Sequence, residues 1–153
     1  MKNSILIQEN NFEKARKKIQ EAKKINKKAI FFSNNDDLNR KIIEKSPPNI
    51  LLLNQSNRKD FQKQRNSGLN QVLAKIAKKN NIVIGIDLNE IINSKGKSKS
   101  DILARIRQNI NLCKKNKLNI KFITLNKKTK KDIYSLKALG LVLKMPTWMT
   151  KNL

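Results

Sequence analysis

The chain has 153 residues, no histidine, one cysteine and a formal charge of +24, from 35 Lys and Arg against 11 Asp and Glu. That length suits one domain with a real core, and the missing imidazole excludes Ser-His-Asp and Cys-His machinery together with the commonest metal ligand. So lopsided a charge repels itself and asks for a polyanionic partner, nucleic acid before an anionic membrane.

The membrane is the weaker partner because no long apolar run, N-terminal apolar segment or lipidation signal can be read in the sequence. Drift toward Lys, Asn and Ile accounts for 29 Lys against 6 Arg, but not for the stretch from Ile102 to Lys131, where ten basic residues meet no acid. Cys113 stands alone, so no intramolecular disulfide forms and a cytoplasmic location is the simplest expectation.

In chain order, SILIQ (Ser4–Gln8) reads as a strand, and Asn11 caps a helix with the stripe Phe12, Ala15, Ile19 and Ala22. KAIFFS (Lys28–Ser33) is a second strand. Asn35 then caps a short helix with Asp36 and Asp37 in its first turn, where the macrodipole favours acids, and Leu38 and Ile42 inside. NILLLN (Asn49–Asn54) follows Pro47-Pro48 and is too short for a helix, so it reads as a buried strand.

A basic, amide-rich junction comes next, then a helix with the stripe Leu69, Val72, Leu73, Ile76 and Ala77. IVIGID (Ile82–Asp87) is a fourth strand. A polar loop (Asn93–Ser100) leads to a helix opened by Ser100 and Asp101, with Ile102, Leu103, Ile106, Ile110 and Cys113 inside; Cys113 is thus a buried core residue. IKFITL (Ile120–Leu125) is a fifth strand. Thr129 with Asp132 opens a last helix that Gly140 stops, and LVLKM (Leu141–Met145) reads as a sixth strand. Short apolar strands alternating with helices mean an α/β fold with a parallel sheet, either open and doubly wound or barrel-like.

No P-loop and no dinucleotide fingerprint is present. A carboxylate site for Mg²⁺ made of Asp60, Asp87 and Glu90 is the remaining catalytic option, against an ordinary capping role for Asp87 and Glu90. Two basic constellations stand out. In the first, Arg58, Lys59, Lys63 and Arg65 lead into Asn66, Ser67 and Gly68 at the expected mouth of the Leu69 helix, where free amides and an Arg fork make a phosphate seat. A plain polar cap with solvated basic neighbours fits the same residues. In the second, Arg105, Arg107, Lys114, Lys115 and Lys117 follow the helix from Ser100 to Asn116, with Arg105 and Lys115 expected to project away from its apolar stripe. Lys121, Lys127, Lys128, Lys130 and Lys131 continue the run. Tyr134 and Trp148 are the only Tyr and Trp and the five Phe are expected mostly in the core, so contacts should be directed at phosphate and shape.

RKDFQKQRNSGLNQVLAKIAKKNNIVIGIDLNEIIN, ILARIRQNINLCKKNKLNIKFIT and KDIYSLKALGLVLKM, in that order, resemble ribonuclease P protein component 3, the archaeal relative of the thirty-kilodalton subunit of eukaryotic ribonuclease P and MRP. The resemblance runs from 58 to 145 within a single domain of 1–153. It implies a compact, incomplete TIM-barrel-like fold related to the polymerase-and-histidinol-phosphatase hydrolases, with about six parallel strands and covering helices but without their metal centre. It also implies a subunit that binds ribonuclease P RNA, which itself uses Mg²⁺ to remove 5′ leaders from precursor tRNA. No cofactor and no catalytic residue would then belong to this chain. The implied protein partner is the small ferredoxin-like subunit, in a heterotetramer. Arg65, Asn66, Ser67, Gly68, Arg105 and Arg107 would face RNA. The N-terminal third lacks the family's Asp-rich opening strand, and Lys144 stands where the family generally has glycine. A generic basic RNA- or ribosome-binding module and a Mg²⁺-dependent phosphoesterase are the competing readings.

Overall fold

The computed structural model describes residues 3–125, 131–151 and 153. Five parallel strands form one sheet: β1 (Ser4–Gln8), β2 (Lys28–Phe32), β3 (Ile50–Leu53), β4 (Val83–Asp87) and β5 (Ile120–Ile123). Their spatial order is their chain order, so each crossover delivers a strand beside the one just left. The crossovers are helical: α1 (Phe12–Lys24), α2 (Asp36–Lys45) and α3 (Gln71–Lys79) each fill one. The β4–β5 crossover holds α4 (Leu88–Asn93) and α5 (Gly96–Lys115). After β5 come α6 (Ile133–Val142) and a single turn, α7 (Thr147–Thr150).

Strand alternation sorts the sheet into two faces. Ile7, Phe31, Leu51, Leu53, Ile84 and Ile86 join Ile19, Ile42, Leu73, Ile106 and Ile110 from the helices in the main core. Ile30, Ile50, Leu52 and Ile123, with Phe32 and Val83, make a smaller cluster built of strand residues alone. Gly85 sits on that second face, where a Cβ would come within 3.1 Å of Ile50, Leu52 and Ile123. The glycine lets these side chains close over the sheet.

α1, α3, α5 and α6 end in the same way. The residue after the C-cap has positive φ in each case: Asn26 at 55°, Asn81 at 54°, Lys117 at 51° and Lys144 at 67°. The next amide then reaches back into the last turn, as Leu118 N does to Cys113 O at 2.9 Å. This is the Schellman closure, for which glycine is usual. The chain has four glycines in all and uses Asn and Lys instead.

The expected sixth strand is absent among the described residues. Leu141 and Val142 belong to α6, which runs through Gly140 and closes at Lys144; Pro146 then caps α7. Gly140 is a packing residue, since a Cβ there would meet Met145 and Thr150 at 3.1 Å. α5 starts at Gly96, inside the expected polar loop, and α3 starts at Gln71, two residues beyond Leu69. Val72, assigned to the inner stripe of α3, is 55% exposed. Thr129, expected to open α6, lies outside the described residues, and Asp132 caps that helix by accepting from the amides of Tyr134 and Ser135.

Candidate nucleic-acid interface

The junction between β3 and α3 is a long loop, 54–70, at the C-terminal edge of the parallel sheet, where loops gather functional residues in α/β folds. A loop of this length needs internal support. Two guanidinium groups provide it. Arg105, on α5, is 5% exposed: its Nε donates to Asp60 at 2.7 Å, one Nη to the Gln55 carbonyl at 2.9 Å and the other to the Arg58 carbonyl at 2.8 Å. The Arg58 side chain is 8% exposed and forms a fork with both oxygens of Asp36 at 2.7 and 2.8 Å. It also donates to Asn66 Oδ1 at 3.1 Å and to the Asn54 carbonyl.

Carboxylates complete the frame. Asp60 accepts from the Asn66 amide at 2.9 Å and from Arg65 at 3.0 Å. The Arg105 hydrogen bond holds its carboxyl below the ordinary aspartate range, against the opposing effect of burial, with the Asn66 amide and the charges of Arg105 and Arg65 adding to it. Glu90, on α4, accepts from the amides of Gln55 at 2.9 Å and Ser56 at 3.0 Å. Asp87 caps α4 through the Asn89 amide at 2.8 Å; burial raises its pKa and the charge of Glu90 adds to that. Asp60, Asp87 and Glu90 are thus occupied with loop and helix geometry, and no metal-holding group of three or more carboxylate or thiol residues occurs among the described residues. The Cys113 thiol is buried and its pKa is pushed up to about 12.

The residues predicted from sequence therefore separate into two sets. Arg58 and Arg105 lie behind the surface, and Arg105 does not project away from the apolar stripe as expected. Its three donor positions are all engaged by the loop. Asn66, Ser67 and Gly68 do not sit at the mouth of α3, which Asn70 caps. The Asn66 amide already holds an internal anion, Asp60. Ser67 is buried, with its hydroxyl accepting from Gln108 at 2.9 Å. Gly68 has φ of +73°, and a Cβ there would come within 2.7 Å of Arg58, so its bare backbone makes room for the protein's own guanidinium.

Lys59, Lys63, Arg65, Arg107, Lys114, Lys115 and Lys117 are exposed. Across a groove of about 540 Å³, Lys63 and Arg65 of the loop face Arg107 and Lys115 of α5, with Gln64, Gln108 and Asn111 between them. The two constellations read separately in the sequence are one surface. Arg65 also touches Asp101 at 3.3 Å, and Gln108 donates to the Arg65 carbonyl at 2.9 Å, so the loop is latched onto α5. Lys121 is half-buried, Lys131 is exposed, and Lys127, Lys128 and Lys130 lie outside the described residues. Sequence reasoning missed Phe61, which is 60% exposed and lines a recess that shares Gln64, Arg65 and Gln108 with this groove. Its placement in a charged and amide-rich run, with Lys59 and Lys63 two positions to either side and no helical or strand periodicity, was the available signal.

A parallel α/β sheet thus carries, on an internally braced loop, a groove lined by basic side chains. No family model matches the chain. Two curated proteins named ribonuclease P protein component 3 do: that of Methanosarcina acetivorans is 43% identical over 51 residues, 33% of this chain and 21% of the relative. That of Methanosarcina mazei is 35% identical over 86 residues, 56% of this chain and 33% of the relative. The matched part thus spans a third or less of the relatives' own length. A chain in the cryo-EM structure of an archaeal ribonuclease P with mature tRNA shares the fold, with a TM-score of 0.76 at 21% identity over 97% of this chain and 62% of that one. The sequence likeness is thus to ribonuclease P protein component 3 over part of the chain, and the structural likeness is one of fold.

Proposed function

We propose that this protein is an RNA-binding subunit of ribonuclease P, supporting a catalytic RNA that removes 5′ leaders from precursor tRNA. The observation that carries the reading is the groove in which Lys63 and Arg65 oppose Arg107 and Lys115, in a chain similar over 86 residues to a component 3 protein. Exposed Lys59, Arg65, Arg107, Lys114 and Lys115 contact phosphates. Arg58, Arg105, Asn66, Ser67 and Gly68 serve the same surface from behind by fixing the loop. Bond cleavage is left to the RNA and its Mg²⁺, and the chain itself binds no cofactor. The consecutive strand order and the strand-only inner cluster favour an incomplete barrel over a doubly wound sheet. The protein partner in this reading is a small ferredoxin-like subunit within a heterotetramer, and the site of action is the cytoplasm.

The test is reconstitution with the cognate RNA and partner proteins, assaying precursor tRNA cleavage with and without this chain. Cleavage that does not depend on it overturns the proposal, and recovery of ribosomal RNA alone in pull-downs favours a ribosome-associated module. Within the proposal, Arg65→Ala weakens RNA binding by about 1–3 kcal/mol and lowers the slope of log K against log salt by about one. Titrations at several salt concentrations read both.

A further inference from the structure

The groove opens into a recess of about 480 Å³, within the usual size of small-ligand sites, roughly 300–1,000 Å³. Phe61 stands at its side, held in a tight turn by the hydrogen bond from its amide to the Gln64 carbonyl at 3.0 Å. An exposed phenyl ring forgoes the gain of burial, and here the loop around it is braced by Arg58 and Arg105. Leu69 and Leu73 give the recess apolar lining, while Gln64, Gln71 and Gln108 bring amides to it. Gln108 spends its nitrogen on the Arg65 carbonyl and the Ser67 hydroxyl, which leaves its oxygen as an acceptor. An aromatic face, amide side chains and adjacent guanidinium and ammonium groups are the combination that receives one unstacked nucleotide: ring for base, amides for base edge, cations for phosphate.

We propose that this recess receives an unpaired base of the bound RNA, stacked on Phe61 and addressed along its edge by Gln64 and Gln108. The inference rests on the RNA-binding reading above and adds a ligand, a single extruded or looped-out base, that the charge pattern alone does not call for. An apolar side chain of a protein partner is the competing occupant. The amides lining the recess and the cations of the adjoining groove favour the base.

The experiment measures binding of the full chain to its cognate ribonuclease P RNA across a salt series, for wild type, Phe61→Ala and Phe61→Trp, the last in a Trp148→Phe background. Phe61→Ala should bind about tenfold more weakly with the salt slope unchanged, because stacking releases no counterions. Phe61→Trp should retain affinity, with its fluorescence quenched as RNA is added. An unaltered melting temperature of Phe61→Ala excludes a folding defect. Wild-type affinity for Phe61→Ala, or indole fluorescence of the Phe61→Trp variant that stays unquenched in the complex, overturns the inference while the RNA-binding reading stands. Loss of partner-protein binding with RNA affinity intact assigns the recess to a protein and also overturns it. Failure of the wild type to bind RNA in a salt-dependent way defeats the underlying reading instead.

Discussion

Arg105 and Arg107 are two positions apart on α5 and have opposite fates. Arg105 is enclosed and bonded to Asp60 and two loop carbonyls; Arg107 is exposed on the groove. Arg105→Ala leaves the Gln55 and Arg58 carbonyls and the Asp60 carboxylate short of a donor, and should cost about 3 kcal/mol of stability, as truncation of one member of a buried pair does. Arg107→Ala should leave stability within about 0.5 kcal/mol and act on RNA affinity. Chemical denaturation of the two variants, followed by RNA titration, separates bracing from contact. Asp60 adds a pH signature. Its folded pKa lies below the unfolded value, so its contribution is fully present above about pH 4 and is lost as pH falls through the folded pKa. The stability gap between wild type and Asp60→Asn, measured by melting in a pH series, should therefore narrow below about pH 4.

The elements follow from periodicity where one face is apolar, and that is where the sequence was legible. β1 to β5 and the caps Asn11 and Asn35 stand where apolar runs and cap chemistry put them. The first turn of α5, GKSKS, is largely exposed on every side and offers no stripe to read. LVLKM carries strand-like residues, but α6 continues through Leu141 and Val142 because Gly140 packs under Met145 and Thr150 in place of ending the helix. The candidate site was half legible: its basic residues are plain in the sequence. Burial of Arg58 and Arg105 was not, since it depends on Asp36 and Asp60, which lie 22 and 45 positions from their partners. The helix ends also bear on the family pattern. Lys144 stands at φ +67°, a conformation suited to glycine, which is the residue the family resemblance read from the sequence implies at that position. Lys144→Gly should raise stability by about 0.5–1 kcal/mol, the relief of left-handed strain outweighing the added freedom of the unfolded chain. Denaturant midpoints of the variant and the parent, compared at equal slope, check it.

At the scale of the whole molecule one quantity, the net charge of +24, acts on folding and binding with opposite sign. The described ion pairs are seven contacts, and several join the same residues: Asp60 serves both Arg65 and Arg105, and Arg65 serves both Asp60 and Asp101. Among the described residues most basic side chains therefore have no acidic partner, and with a net charge of +24 the compact state carries a repulsion that the more expanded unfolded chain relieves. Salt shortens the screening length from about 10 Å at 0.1 M to about 3 Å at 1 M, which weakens that repulsion. Adding NaCl should thus raise the melting temperature of the free protein. The same additions should lower RNA affinity linearly in log salt, because counterion release is what the groove gains from phosphate. Melting and RNA titration in one salt series give the two trends side by side. A melting temperature that falls with salt would mean that the braced ion pairs around Asp60 and Asp36 outweigh the surface charge, and that the molecule is held together more by its few carboxylates than it is pushed apart by its many lysines.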